Sequence, residues 1–119
     1  MYRTGIQVPI GFQAGGGLKF EHFGSIVISS CSVVGKHCTI FQDVTIGYAG
    51  RPGKGGVPVI GDNCVLCAGA QIIGPIKIGN NVMIGANAIV CKDISDNSVV
   101  ASPMGEIISL KGTKGYFGN

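Results

Sequence analysis

The sequence predicts an all-β solenoid, one domain over residues 1–119 in which short strands wind into stacked three-sided turns. Two observations predict it. From Val34 onward an aliphatic residue returns every six positions, at Val34, Ile40, Ile46, Ile60, Leu66, Ile72, Ile78, Ile84 and Val90. Four places after most of these comes a small or medium-sized residue: Cys38, Val44, Cys64, Ala70, Ile76, Val82, Ala88 and Ile94. A period of six matches neither the 3.6 of a helix nor the two of a long strand. It suits short strands joined by tight turns, with Gly or Asn where a corner needs positive φ. Asp62, Asn63, Asn80, Asn81 and Asn87 supply such corners. Three units close one turn, so side chains stack in columns eighteen residues apart: Ile60 under Ile78, Leu66 under Ile84, Ile72 under Val90. Each turn then adds hydrogen bonds and apolar burial to the one before it.

The repeats span about residues 5–100. Upstream of Val34, Ala14 and Phe20 serve as repeat starts if Ile26-Val27 make a small detour before Ile28. The register breaks once, between Ile46 and Ile60, which lie 14 apart instead of six. The surplus forms a glycine-rich external loop, residues 47–59, thrown out from one corner and carrying Arg51 and Lys54. Such loops on rigid scaffolds often carry function. Beyond the repeats, in the tail of residues 101–119, Ile107, Ile108 and Leu110 are expected to fold back over the last turn. Val65 and Met83 are expected to stack on one outer face, with Ile89 on another, an apolar surface suited to a partner.

Composition narrows the function classes. Only 13% of residues are charged, against nearly half hydrophobic, and 21 are glycine. Such a chain has little polar surface to offer water, so burial against copies of itself is expected. The longest charge-free run, residues 63–76, is interrupted by Gly and Pro and is too short to cross a bilayer. The start shows no apolar stretch behind a basic head, so a cytoplasmic location is expected. Nine Lys/Arg against six Asp/Glu leave a small, scattered positive excess. That suits a polyanionic small molecule better than nucleic acid, for which no basic cluster is present. Neither phosphate-binding glycine motif occurs. Five cysteines cannot all pair within one chain, and reduced thiols are the simpler reading.

Two histidines are too few for a three-histidine zinc site, so no metal is expected. His37, in Gly35-Lys36-His37-Cys38, reads as a solvated corner. His22 sits where the repeat phase stumbles, beside Glu21 and between Phe20 and Phe23. A histidine titrates near neutrality and can take a proton from a hydroxyl; a purely structural role for His22 is the competing reading. Cys64-Val65-Leu66-Cys67 has CxxC spacing, but the repeat turns Cys64 inward and Cys67 elsewhere, which argues against a shared metal or disulfide.

The hexapeptide run, the segment Leu18-Lys19-Phe20-Glu21-His22-Phe23-Gly24-Ser25-Ile26-Val27-Ile28 and the loop after Val44-Thr45-Ile46-Gly47 resemble the serine O-acetyltransferases. The short forms of capsular-polysaccharide clusters are the nearest in kind, and the resemblance runs from about Gly5 to Leu110. It implies a left-handed parallel β-helix, a hand that spacing alone does not give and that the rule for parallel crossovers would not favour. It further implies a homotrimer with sites between subunits, acetyl-CoA as co-substrate and His22 as general base. By the same resemblance Glu21, Gln42 and Asp43 face the acceptor, Gly47, Tyr48, Ala68 and Ala86 line the pantetheine groove, and Lys92 meets a CoA phosphate. Three positions depart from the family pattern. Gln7 stands where a carboxylate orients the histidine, and Val57 where the serine enzymes place a loop histidine. Glu106 stands where a cation faces CoA. Val57, with no helical domain preceding the coil, favours a sugar or polysaccharide hydroxyl as the alternative acceptor. Gln7 and Glu106 favour a non-catalytic scaffold as the alternative of another class.

Overall fold

A computed structural model of the chain describes residues 6–7, 13–20, 25–51 and 53–115. In chain order the strands are β1 (Ile6–Gln7), β2 (Gln13–Ala14), β3 (Lys19–Phe20), β4 (Ile26–Ile28), β5 (Val33–Val34), β6 (Thr39–Ile40) and β7 (Thr45–Gly47). They continue as β8 (Val59–Ile60), β9 (Val65–Leu66), β10 (Gln71–Ile73), β11 (Lys77–Ile78), β12 (Met83–Ile84), β13 (Ile89–Val90) and β14 (Val99–Val100). Every third strand shares a sheet, except that β14 follows β12, because the intervening rung at Ile94 is a single bridge. Face 1 runs β1-β4-β7-β10-β13, face 2 runs β2-β5-β8-β11, and face 3 runs β3-β6-β9-β12-β14. All strand pairs are parallel, and the chain climbs as a three-sided coil.

The columns expected from the sequence are the strand registers. Ile60 pairs with Ile78, Leu66 with Ile84 and Ile72 with Val90. These inward aliphatics are buried, as are Cys38, Val44, Cys64, Ala70, Ile76, Val82 and Ala88 at the second inward position. Ala14 pairs with Val34 and Phe20 with Ile40, so the repeat does reach into the first turn. The detour lies elsewhere than expected. Ile26–Ile28 is a regular strand with Ile28 on Ile46, and the surplus residues precede it, between Phe20 and Ile26.

The corners divide their work between two kinds of residue. Asn63, Asn81 and Asn87 adopt positive φ, and so do Cys31, His37, Asp43 and Asn97. Asp62 and Asn80 do not; they form a ladder instead. Between faces 2 and 3 the Lys36 amide donates to Asp62 Oδ1 at 2.8 Å, the Asp62 amide to Asn80 Oδ1 at 2.7 Å, and the Asn80 amide to Asp96 Oδ1 at 2.7 Å. Each turn is thereby stitched to the next by a side chain.

Two further expectations are corrected or refined. The external loop is ordered at its base, where Ala49 and Gly56 exchange backbone hydrogen bonds of 3.2 and 3.0 Å as an antiparallel bridge. The tail does not fold back: Ile107, Ile108 and Leu110 are 85–93% exposed. The last turn already has Ile94 bridged to Ile78 and β14 paired to β12, and the segment after it leaves the coil. Among the described residues no helix is long and apolar enough to cross a membrane.

Candidate functional site

Face 1 has the residues of interest along both of its edges. At the edge shared with face 3, Gln42-Asp43, Ala68-Gly69 and Ala86-Asn87 occupy the same corner in three successive turns. The Gly69 amide donates to the Gln42 carbonyl at 3.0 Å, and the Asn87 amide to the Ala68 carbonyl at 2.9 Å. Gln42, Ala68 and Ala86 therefore form one column, and Asp43, Gly69 and Asn87, all at positive φ, form the next. The column narrows to methyl groups above Gln42, leaving room for a slender ligand. Asp43 is exposed to solvent, whereas Gln42 Oε1 is buried without a hydrogen-bond partner. A buried acceptor left unpaired carries a desolvation cost of about 1–3 kcal/mol, which a donor arriving from a ligand would relieve.

His22 and Glu21 lie outside the described residues. The strands that flank them, β3 and β4, belong to faces 3 and 1, the same pair of faces that the Gln42-Asp43 corner connects. Gln7 lies on β1 of face 1.

At the opposite edge of face 1, shared with face 2, stand Gly47, Tyr48 and Lys92. Gly47 closes β7, and a side chain there would press on Ile73 Cδ1 at 3.0 Å. The Tyr48 amide donates to Ser29 Oγ at 3.1 Å, and its phenol donates to the Arg51 carbonyl at 3.4 Å. The ring lies against Gly55, where any Cβ would collide with the phenol oxygen. Tyr48 thus pins the external loop while remaining half exposed. Ser29 was not among the expected site residues. The signal was available, since Ser29 sits eighteen residues before Gly47 in the same column. Lys92 is exposed and lines a cavity of about 220 Å³ with Ile89, Cys91, Ile94 and Val100 at the end of the coil. Val57 lines a separate groove on face 2 with Val59, Pro75, Lys77 and Asp93. Glu106 is exposed in the tail.

Within one chain, then, Gln42, Asp43, Ala68 and Ala86 come together on one edge, and Gly47, Tyr48 and Lys92 gather on the other. The breadth of face 1 separates the two sets.

Two of the five cysteines, Cys38 and Cys64, belong to the core, while Cys31 and Cys91 are exposed. Cys38 and Cys64 are buried in one column between faces 2 and 3, their thiols donating at 3.2 Å to the carbonyls of Gly61 and Gly79 in the next turn. Contact with the Cys38 thiol and burial push the Cys64 thiol up, so it stays protonated. Cys67 is only partly buried and lies at the other end of β9, at the corner between faces 3 and 1. Among the described residues no group of three or more His, Cys, Asp or Glu side chains is placed to hold a metal.

Residues 58–92 match the family described as bacterial transferase hexapeptide (six repeats). A serine acetyltransferase of Synechococcus elongatus is 34% identical over 111 residues, covering 93% of this chain and 46% of its own. The chain therefore spans about half the length of the curated relatives it matches. Among solved structures, the serine acetyltransferase of Neisseria gonorrhoeae aligns with a TM-score of 0.76 at 32% identity, over 96% of this chain and 44% of that one. A serine acetyltransferase solved in complex with CoA aligns with a TM-score of 0.68 at 30% identity, over 75% of this chain and 36% of that one. A coil of opposite hand would not superpose so closely, so the fold is a left-handed parallel β-helix. Over residues 58–92 the chain is thus similar to the hexapeptide transferases, and over 93% of its length it is similar to a serine acetyltransferase.

Proposed function

We propose that the protein is an acetyl-CoA-dependent O-acetyltransferase acting on a serine or serine-like hydroxyl in the cytoplasm. The observation that carries this reading is the 34% identity to a serine acetyltransferase over nearly the whole coil. The active unit is a homotrimer. One edge of face 1 carries the small residues and Gln42, the other carries Gly47, Tyr48 and Lys92, and apposition of neighbouring subunits would bring the two edges into one groove.

His22 acts as general base. It takes the proton of the acceptor hydroxyl as that oxygen attacks the thioester carbonyl carbon of acetyl-CoA. The carbon–sulfur bond then breaks, and the proton passes from His22 to the departing CoA thiolate. General-base help contributes about 10²–10⁴-fold, and positioning of the two substrates between subunits supplies much of the remainder. Glu21, Gln42 and Asp43 meet the acceptor; the unpaired Gln42 Oε1 suits a hydroxyl or ammonium donor. Gly47, Tyr48, Ala68 and Ala86 line the pantetheine path, and Lys92 meets a CoA phosphate. No metal takes part. A sugar hydroxyl is the second reading for the acceptor, favoured by Val57 in the loop, which offers neither a proton nor a charge to an amino-acid substrate.

The test is turnover of acetyl-CoA with L-serine and with a panel of sugars, using unmodified protein and His22→Ala, with product detected by mass spectrometry. Acetylation that falls at least a hundredfold in the variant supports the mechanism. Undiminished transfer in His22→Ala removes the base from this position. Absence of both turnover and CoA binding in the unmodified protein leaves the coil as a scaffold.

A further inference from the structure

Along face 1 the turns are joined by backbone hydrogen bonds, and one of these bonds is replaced by a side chain. Past the ends of β7 and β10 the Gly74 amide donates to the Gly47 carbonyl at 2.9 Å. One turn lower, the equivalent bond would run from the Tyr48 amide to the Ser29 carbonyl, because Ser29 follows β4 in the register at which Gly47 ends β7. That carbonyl instead accepts the Ser32 amide at 3.3 Å. The Tyr48 amide donates to the Ser29 hydroxyl at 3.1 Å. The same position in the next two turns is held by Gly47 and Ile73, neither of which has a hydroxyl. The substitution therefore falls at the point where the chain leaves the coil for the external loop.

What holds that loop runs through Tyr48. Its phenol donates to the Arg51 carbonyl at 3.4 Å, and its ring lies against Gly55. Ala49, next in the chain, closes the loop base with Gly56. Gly50, Gly53, Gly55 and Gly56 give the segment much backbone freedom. A loop ordered only by its ligand loses that freedom at the binding step, which weakens affinity. A loop ordered beforehand by the coil does not.

We propose that Ser29 is a positioning residue for the acyl donor. Its hydroxyl fixes the Tyr48 amide, and through Tyr48 the external loop, where Gly47 and Tyr48 receive the pantetheine arm. Ser29 acts through Tyr48 and not on the reacting atoms. Both residues stand on one edge of face 1, so the anchor operates within a single chain. This inference rests on the acetyl-CoA reading above.

The experiment is steady-state kinetics of Ser29→Ala and Ser29→Thr with acetyl-CoA varied, using whichever acceptor the unmodified protein turns over. Ser29→Ala should raise KM for acetyl-CoA roughly threefold to tenfold, the worth of one net hydrogen bond. Its kcat should stay within about twofold, the pattern of lost substrate binding. Ser29→Thr keeps the hydroxyl and should restore KM. Without substrate, the Tyr48 and Gly56 amides of Ser29→Ala should exchange with deuterium at least about fivefold faster, as a locally loosened segment does. If Ser29→Ala does not fold, Ser29→Cys takes its place, being of similar size with only a weak acceptor. An unchanged KM overturns the proposal, and so does a threonine that leaves KM raised. A lowered urea midpoint with KM and kcat both intact makes the bond structural only, which equally overturns it. Unmodified protein that neither turns over nor binds CoA defeats the acetyltransferase reading and this inference together. An active Ser29→Ala of normal KM defeats this inference alone.

Discussion

Gly35, Gly61 and Gly79 each follow an inward aliphatic, and their role is space rather than backbone freedom. None of the three adopts positive φ. A Cβ on Gly61 would collide with the Asn80 Oδ1 and approach the Gly79 carbonyl oxygen to 2.6 Å. The same crowding meets Gly35 from Asp62 and Gly79 from Asp96. The corner ladder of Asp and Asn side chains occupies the volume where a side chain would go, so ladder and glycine are one device. Gly61→Ala should therefore destabilise the protein by about 3 kcal/mol, at the upper end for overpacking, because the obstacle includes backbone. Gly16→Ala, where nothing lies within 4 Å, should stay within about 0.5 kcal/mol. Asp62→Ala removes only the exposed bond to the Lys36 amide and should cost about 1 kcal/mol. Urea unfolding of the three variants checks the order, and equal effects of Gly61→Ala and Gly16→Ala would defeat the argument. At the core, Cys64→Ser keeps the volume but asks a hydroxyl to replace a thiol that bonds the Gly79 carbonyl. A loss of about 1–2 kcal/mol with unaltered turnover is expected; a folded but inactive variant would bring the thiol back into the chemistry.

At the scale of elements, two-residue strands are too short to stand alone, and their position is set by stacking on the strand eighteen residues away. That is why the columns could be read from spacing alone: Leu66 must be aliphatic because Ile84 lies over it. Departures from the column were not legible for the same reason. The surplus lengthens the step from Phe20 to Ile28 to eight residues on whichever side of Ile26-Val27 it falls, so the side could not be chosen from spacing. Ile107 and Ile108 carry the composition of a covering strand, while their exposure depends on where the chain goes after Pro103, which no periodicity records. The glycines of the corners were read as turns because sequence shows the residue and not the neighbour crowding it. The candidate site divided similarly. Gln42, Ala68 and Ala86 were named by resemblance, and the structure adds that they share one column. The eighteen-residue spacing of Ser29 to Gly47 was in the sequence, but the bond to the Tyr48 amide was not. The external loop gives the element-scale prediction. It leaves β7 and returns at β8 without displacing either from its pairing, and its base is closed by Ala49 and Gly56. Replacing residues 48–57 with a short corner should change stability by about 1 kcal/mol or less, since loop length enters closure entropy only logarithmically. Turnover should fall at least tenfold, because Tyr48 goes with the loop. Thermal unfolding and acetyl transfer measured together check this, and a shortened protein of full activity would make the loop a passive insertion.

At the scale of the molecule, a coil this narrow cannot hide its outward residues, and the last three rungs of face 3 are apolar where the first two carry Lys19 and Thr39. Val65, Met83 and Val99 stack in successive turns of face 3, Met83 paired with both of the others, and Val99 is 73% exposed. Charged residues are scarce enough that no salt-bridge lattice competes with such a column for partners. The homotrimer proposed above would bury this column, and if it forms, mass by light scattering should be three times the 12.2 kDa of the chain. Met83→Glu tests the face directly. As a monomer the variant loses little, because Met83 is already 43% exposed and a surface exchange costs about 0.5 kcal/mol or less. In the assembly the new carboxylate is stripped of water against apolar side chains. A penalty of roughly 3 kcal/mol raises the dissociation constant about a hundredfold. Sedimentation should then show monomers at concentrations where the unmodified protein sediments as the proposed trimer, with circular dichroism unchanged. If the groove is shared between subunits, turnover per chain in Met83→Glu should fall with dissociation and recover as protein concentration rises. A variant that stays trimeric places the contact on another face. One that dissociates yet keeps full turnover when dilute would put both edges of the site within a single coil, against the separation that face 1 imposes on them.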